Sequence, residues 1–185
     1  MIVDLADWPR LAAVDPVVAE WSEEVVPGAV EELPHSRYSP RYAWMYAYEK
    51  RLKQRICRAL GRPLGDWERR LFGPDGAFSE GLSNAFLHGH RRDPERPIGI
   101  SCRVGSGGLQ FVIRDQGGGF DVAAALGALG RGAGYYHMAG NGLRCLAESP
   151  HVLAALGEGG RALFLGILFV SSGTAAAPPV SPPRP

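Results

Sequence analysis

Three polar side chains at four-residue spacing are the leading candidates for chemistry in this chain of 185 residues. The segment SEGLSNAFLHGH, residues 79–90, places Glu80, Asn84 and His88 on one side of a helix. A carboxylate there could act as a general base, and an amide oxygen could bind a hard cation such as Mg²⁺. The same stripe is also typical of a solvated helix face, so the surrounding sequence has to distinguish a site from a surface.

Glycine-rich segments suggest phosphate binding, but two familiar phosphate-binding motifs are missing from the sequence. A Walker A loop needs Gly-Lys followed by Ser or Thr, and Lys50 and Lys53, the only lysines, both follow residues other than glycine. The segment GRGAGYY follows a predicted helix instead of a first strand, so it does not fit the dinucleotide-binding pattern of a Rossmann fold. Any nucleotide site must therefore be of another type.

The composition is that of a soluble globular protein, with 45% hydrophobic and 21% charged residues. The net charge is only +1, whereas domains that bind DNA or RNA are usually strongly basic. The apolar run ALFLGILFV is too short to cross a bilayer, and the start, MIVDLADWPR, does not resemble a secretory signal. Cys57, Cys102 and Cys145 are widely spaced and indicate neither a disulfide framework nor a zinc site. We therefore expect a cytoplasmic protein with no direct nucleic-acid partner and no membrane partner.

The elements that must hold the polar stripe alternate between helix and strand patterns. Apolar residues at helical spacing predict a helix from Tyr42 to Leu60. The later predicted elements are a helix over 80–88 ended by Gly89, strands in PIGISCRV and LQFVIRD, helices in VAAALGAL and GNGLRCLAES, and two strands in HVLAALGEGGRALFLGILFV. Helices beside a sheet built from hairpins predict an α+β fold with a two-layer sandwich.

Three regions are expected along the chain. Residues 1–70 form an irregular and helical extension packing on the core, with a brief amphipathic helix in VDPVVAEWSEEVV and no clear first strand. Residues 71–171 form the main domain, and the Pro-rich residues 172–185 form a disordered tail.

Three motifs in a fixed order resemble those of the GHKL or Bergerat-fold ATPases, which include gyrase-type topoisomerases, sensor histidine kinases and anti-sigma-factor serine kinases. E80-G-L-S-N84-A-F-L-H88-G resembles the N box, D115-Q-G117-G-G119-F the G1 box, and G140-N-G142-L the G2 box. The resemblance covers about residues 75–170. Each box alone is a weak signal, but their order around two hairpin strands and a Gly-rich segment is fairly specific. It implies a mixed, mostly antiparallel sheet covered by helices on one face.

The first box implies how ATP or ADP would be bound together with Mg²⁺. Asn84 would be the metal ligand, with phosphate oxygens and waters in the other positions. Glu80, one helical turn earlier, would act as general base toward a water or a protein hydroxyl aimed at the γ-phosphate. His88 caps or packs the end of the same helix and is counted with the nucleotide-binding residues.

The second box implies recognition of the base. The family counterpart of Asp115 accepts a hydrogen bond from the adenine amino group, whereas guanine presents a carbonyl oxygen at that edge. Gly117 and Gly119 would let the backbone turn tightly near the base, and Phe120 would pack beneath it.

The third box implies where the phosphates would lie. Gly140, Asn141, Gly142 and Leu143 would open a helix whose free N–H groups receive phosphate oxygens, so that no lysine is required. The segment 127–139 before this box would form a lid over the nucleotide.

Among the members of this family, the motifs are most similar to those of the anti-sigma-factor serine kinases. The resemblance implies transfer of the ATP γ-phosphate to a Ser of an anti-sigma antagonist, or binding of a sigma-factor-like regulator, with a homodimer as a possible form. One alternative is a detached catalytic domain of a histidine kinase; His35 is bracketed by prolines, and the helix predicted over 42–60 contains no His to accept a phosphoryl group. The other alternative is a non-catalytic adenine-nucleotide-binding interaction module.

Overall fold

The computed structural model describes residues 1–30, 40–74, 76–130, 146–147 and 151–169. In chain order its elements are α1 (Trp8–Leu11), β1 (Val17–Val25), α2 (Pro40–Leu60), α3 (Trp67–Leu71), α4 (Ala77–Asn84), β2 (Ile98–Gly105), β3 (Gly108–Arg114), α5 (Val122–Gly130), β4 (Val152–Gly157) and β5 (Ala162–Leu168). A π-helical turn, Ala85–Gly89, follows α4, and short turns lie at Pro27–Ala29 and Glu158–Gly160. None of the helices in these ranges has the length and apolarity needed to cross a membrane.

The five strands form one antiparallel sheet in the order β1-β2-β3-β5-β4. The two hairpins predicted from the alternating patterns are confirmed: β2 turns into β3 after Gly105, and β4 pairs with β5 across the turn at 158–160. The two hairpins are joined by the pairing of β3 with β5, in which Phe111 lies opposite Leu165. The α+β fold predicted from the sequence is therefore confirmed. The predicted helix GNGLRCLAES is described only at residues 146 and 147, which are helical.

The main core lies between the sheet and the helices α2, α3 and α4. Alternate strand residues such as Ile100, Phe111 and Leu165 point into it and are fully buried, as are Phe78 and Leu82 of α4. Burying one such side chain contributes about 1.5–3 kcal/mol. Because Phe78 and Leu82 hold one side of α4 against the sheet, the other side of α4 faces away from the core and is partly exposed. This packing determines where Glu80 and Asn84 lie.

The expectation of a brief helix in VDPVVAEWSEEVV is wrong. Residues Val17–Val25 form β1, an edge strand with Trp21 opposite Cys102 and Val25 opposite Ile98 of β2. From Ala19 to Val25, every second residue of β1 is less exposed to solvent than its neighbours in the strand. This two-residue period is that of a strand with one face on the core. The glutamates of this segment have a high intrinsic helix propensity, but the pairing of the segment with β2 outweighs that preference. The region before residue 70 thus contributes a strand to the sheet, although its division from the rest of the chain stays a prediction.

The expectation that helices cover one face of the sheet is also incomplete. Trp8 and Ala12, from α1 and the residue after it, pack with Ala155 of β4 and Phe164 of β5 in a second, smaller cluster. The neighbouring residues of those strands belong to the main core, and successive residues of a strand point to opposite faces. The N-terminal segment therefore covers part of the face opposite to α2 and α4.

A buried carboxyl group joins α2 to α4. Glu49 is 4% exposed, and its Oε1 accepts a hydrogen bond from Ser79 Oγ at 2.6 Å. Ser79 Oγ in turn accepts the N–H of Gly73 at 2.9 Å. Burial raises the pKa of Glu49 from 4.5 to about 7, although the hydrogen bonds from Ser79 and Gly73 oppose the shift. Since Ser79 directly precedes Glu80, this network holds the start of α4.

We expect the free energy of unfolding to fall as the pH rises from about 4.5 to about 7, because over that range the unfolded chain loses the Glu49 proton and the folded one keeps it. The difference in pKa corresponds to a loss on the order of 3 kcal/mol. Urea unfolding at a series of pH values measures it. Glu49→Gln should flatten this dependence, and the exposed Glu95→Gln is the matched control. Equal slopes in Glu49→Gln and the wild type would contradict the assignment.

Candidate functional site

A cleft of about 470 Å³ lies between α4 with its π-helical turn, the ends of β3 and β5, and α5. Small-molecule sites usually have volumes of roughly 300–1,000 Å³, so the cleft has room for a ligand of that class. Five of the residues predicted from the sequence line it, namely Asn84, His88, Asp115, Gly119 and Phe120. Apolar walls come from Ile113, Leu163 and Leu146.

Glu80 and Asn84 are hydrogen-bonded to each other on α4. Asn84 Nδ2 donates to Glu80 Oε1 at 3.1 Å, which is the contact expected of residues four apart on a helix. Nδ2 is engaged by Glu80, and Oδ1 of Asn84 makes no hydrogen bond to any residue that the structure describes. Glu80 is partly exposed but is not among the residues that line the cleft. The structure thus brings the two residues together and gives only Asn84 a direct place in the cleft wall.

The helix that carries the stripe changes its winding after Asn84. The residues Ala85–Gly89 form a π-helical turn, in which the N–H of His90 donates to the carbonyl of Ala85 at 2.8 Å. A π-helical turn is wider than an α-helical one and is frequent at functional sites. The regular stripe therefore extends only from Glu80 to Asn84. His88 still lines the cleft, where its side chain is exposed.

Asp115 follows directly after β3, as predicted. Its N–H donates to the carbonyl of Arg161 at 3.0 Å, and its Oδ1 accepts the N–H of Gly117 at 2.7 Å. Burial raises the pKa of Asp115, while the Gly117 N–H, His90 and Arg161 lower it to a smaller extent. Oδ2 makes no hydrogen bond to any residue that the structure describes, so it is the oxygen available to a donor in the cleft.

The glycines of the second motif are required by close contacts. A Cβ on Gly117 would overlap the carbonyl of Gly89, and one on Gly119 would overlap the carbonyl of Gly159. Gly119 also has φ of 70°, a conformation that favours glycine. Gly119 lines the cleft, whereas Gly117 does not; Gly117 instead packs against Gly89 and binds the Asp115 carboxylate.

Phe120 lies between the wall of the cleft and the turn that joins β4 to β5. Its backbone N–H donates to Gly159 at 2.9 Å, and its ring lies so close to Gly160 that a Cβ there would overlap it. The side chain lines the cleft and is 40% exposed. It is therefore a free aromatic surface in the wall of the cleft.

Two arginines that the sequence reasoning did not name also line the cleft, Arg91 and Arg161. Arg91 and the next residue, Arg92, have φ of 55° and 67°, a left-handed conformation that is uncommon outside glycine and concentrated at functional sites. The run HRR directly after the first motif could have indicated Arg91. Nothing local indicates Arg161, because its position depends on how the β4–β5 hairpin pairs with β3.

The third motif, with Gly140, Asn141, Gly142 and Leu143, lies outside the described residues. Of the predicted lid, 127–139, the first four residues form the end of α5, and the rest lies outside the described residues. Leu146, which follows the motif, is buried and lines the cleft. The chain just after the third motif is therefore beside the first two motifs.

The family model of the histidine kinase-like ATPase domain matches residues 75–167. This range is just over half of the chain and contains all three motifs. The chain belongs to this family. No curated protein matches it.

The residues of this histidine kinase-like ATPase domain fit the adenine nucleotide that the family implies. The Oδ2 atom of Asp115 is an unused acceptor for an amino group, and Asn84 Oδ1 is a hard oxygen donor of the kind that Mg²⁺ prefers. In the described part of the chain, no three His, Cys, Asp or Glu side chains gather into a metal-binding cluster.

Proposed function

We propose that the protein binds ATP and Mg²⁺ in this cleft and transfers the γ-phosphate to a serine of a protein partner, as an anti-sigma-factor-like switch. The observation that carries the proposal is the single cleft that Asn84 and Asp115 both line, with Glu80 hydrogen-bonded to Asn84. The resemblance assigns a role to each of these side chains: Asn84 binds the metal, Asp115 recognises the adenine, and Glu80 is the general base. The family match to an ATPase domain supports the nucleotide part of this proposal.

Each of the three side chains has a separate task. Asp115 Oδ2 accepts a hydrogen bond from the adenine amino group, while the Gly117 N–H holds Oδ1 in place. Asn84 Oδ1 would hold the Mg²⁺, which neutralises phosphate charge when it is bound. Glu80 takes the proton of the partner's serine hydroxyl while the serine oxygen forms a bond to the γ-phosphorus. The bond from that phosphorus to the bridging oxygen breaks, and ADP leaves.

The partner is proposed from the resemblance of the motifs to the anti-sigma-factor serine kinases. It is an anti-sigma antagonist that offers a serine, or a sigma-factor-like regulator that is bound without transfer. A homodimer and a cytoplasmic location belong to the same proposal.

A non-catalytic nucleotide-binding module is the second candidate. It is favoured by one observation, namely that Glu80 does not line the cleft and its carboxylate is engaged by Asn84. In this alternative the bound nucleotide changes the affinity for a partner, and no phosphoryl transfer occurs.

The metal part of the proposal predicts that Asn84→Ala lowers the Mg²⁺-dependent gain in ATP affinity by roughly tenfold or more, because it removes the protein's oxygen ligand. Isothermal titration with ATP, in Mg²⁺ and in a chelator, measures the gain. Gln54→Ala, which removes an exposed amide on α2, is the control. A wild type that binds no ATP would refute the proposed function. An Asn84→Ala variant with an unchanged response to Mg²⁺ would refute only the metal assignment.

A further inference from the structure

The imidazole of His90 is buried beside the cleft, and the proposed mechanism does not use it. It is 1% exposed, and its Nε2 accepts the N–H of Gln116 at 2.9 Å. Because the donor is a backbone amide, Nε2 carries a lone pair and the neutral ring has its proton on Nδ1. Nδ1 is buried and finds no hydrogen-bond partner of acceptable geometry, although the backbone of Arg96 interacts with the ring. The hydrogen bond from Gln116 is therefore the well-formed contact of this buried ring.

The hydrogen bond from Gln116 is the middle one of three successive backbone contacts. The N–H of Asp115 donates to Arg161, that of Gln116 to His90, and that of Gly117 to the Asp115 carboxylate. The first contact holds the loop to the residue just before β5, and the second holds it to the residue just after the π-helical turn. The third sets the rotation of the carboxylate. Without His90, only one of the two external supports would remain.

The two segments that His90 joins are in close contact. A Cβ on Gly89 would overlap the carboxyl group of Asp115, and a Cβ on Gly117 would overlap the carbonyl of Gly89. No atom separates the chain at residue 89 from the loop at 115–117. A shift of a few tenths of an ångström on either side would therefore move the Asp115 carboxylate relative to the cleft.

We propose that His90 is a positioning residue for base recognition: its neutral imidazole holds the loop 115–117 so that Asp115 Oδ2 faces the bound nucleotide. This inference rests on the proposed ATP site and names a residue outside its three motifs. His90 touches neither the nucleotide nor the metal. It acts through Gln116 on Asp115.

Charge on the ring would abolish the contact. A protonated imidazole has N–H donors at both nitrogens, so Nε2 could no longer accept from Gln116. Burial lowers the pKa of His90; the Asp115 and Asp93 carboxylates raise it, and the Arg96 guanidinium lowers it. The contact is therefore present at neutral pH and is lost as the pH falls through the folded-state pKa. Nucleotide affinity should fall with it.

The first test uses the nucleotide-free protein. Hydrogen exchange and the NMR shift of the Gln116 amide are followed from about pH 8 to 5, together with the titration of the His90 ring. We expect a protected amide that loses its protection as His90 gains a proton. A Gln116 amide that exchanges freely at neutral pH, or that ignores the His90 titration, would overturn the proposal.

The second test measures ATP affinity over the same pH range for His90→Phe and His90→Gln. His90→Phe removes the acceptor and should weaken ATP binding by roughly tenfold. His90→Gln places an amide oxygen near Nε2; it should restore the affinity to within roughly threefold and remove the acid-side loss specific to His90. Titration of the nucleotide phosphates is common to both proteins and cancels in their comparison. Because His90 lowers the pKa of Asp115, the Asp115 carboxyl is titrated by NMR in each protein and its contribution is subtracted. His151→Gln, at a histidine packed on Trp67, is the control.

Each remaining outcome of these measurements has one meaning. Wild-type affinity in a folded His90→Phe protein, or the same pH profile in His90→Gln and the wild type, would overturn the positioning role. If His90→Phe does not fold, the His90→Gln profile decides. A wild type without ATP binding would remove the proposed function, and exchange at Gln116 would then decide the contact with His90 by itself.

Discussion

Asp115→Asn should weaken ATP binding by roughly 10- to 100-fold, the loss of a hydrogen bond to a charged group. The reason lies in the contact with Gly117, whose N–H donates to Oδ1 at 2.7 Å. In the variant, the amide oxygen must take that position, which leaves the amide nitrogen in the place of Oδ2. An N–H donor would then face the adenine amino group. The same donor would suit the carbonyl oxygen of guanine, so GTP binding should be maintained or improved.

Titrations of both proteins with ATP and GTP measure this change in preference. Because burial raises the pKa of Asp115, the neutral amide should not destabilise the free protein, and its melting temperature serves as an internal check. Asp66→Asn, at an exposed residue paired with Arg69, is the matched control. Equal ATP affinity in the wild type and Asp115→Asn would mean that the base is recognised elsewhere.

Glu80→Gln should leave ATP affinity within roughly threefold of the wild type while slowing phosphoryl transfer by roughly 10²- to 10⁴-fold, the usual contribution of a general base. The glutamine keeps an oxygen that can accept from Asn84 Nδ2, so the geometry of α4 is preserved. What it lacks is the ability to take a proton. Binding and chemistry should therefore separate cleanly in this variant.

The measurement is single-turnover ADP formation, with transfer of labelled phosphate to purified anti-sigma antagonists as the second readout. Glu68→Gln, at a partly exposed carboxylate paired with Lys53, is the control. ADP formation at the wild-type rate in Glu80→Gln would remove Glu80 from the chemistry. A wild type that binds ATP but forms neither ADP nor a phosphorylated partner would favour the non-catalytic module.

Local pattern was sufficient for the elements that build the cleft. The hairpins at 98–114 and 152–168 follow from alternating apolar residues around glycine-rich turns, and both are present. The pairing of Glu80 with Asn84 follows from four-residue spacing on a helix. In these cases the partners are close in sequence, so backbone geometry alone brings them together.

Non-local contacts determined what the sequence did not reveal. The segment Val17–Val25 is a strand because β2, about 80 residues later, offers it an edge to pair with. Arg161 reaches the cleft because β5 pairs with β3, and His90 meets Gln116 because α4 and β3 end side by side. The sequence by itself determined which residue types are available for the nucleotide and how those within one element are spaced. Only the tertiary structure decided which of them share a cleft, because the energy of burial and pairing depends on residues far apart in the chain.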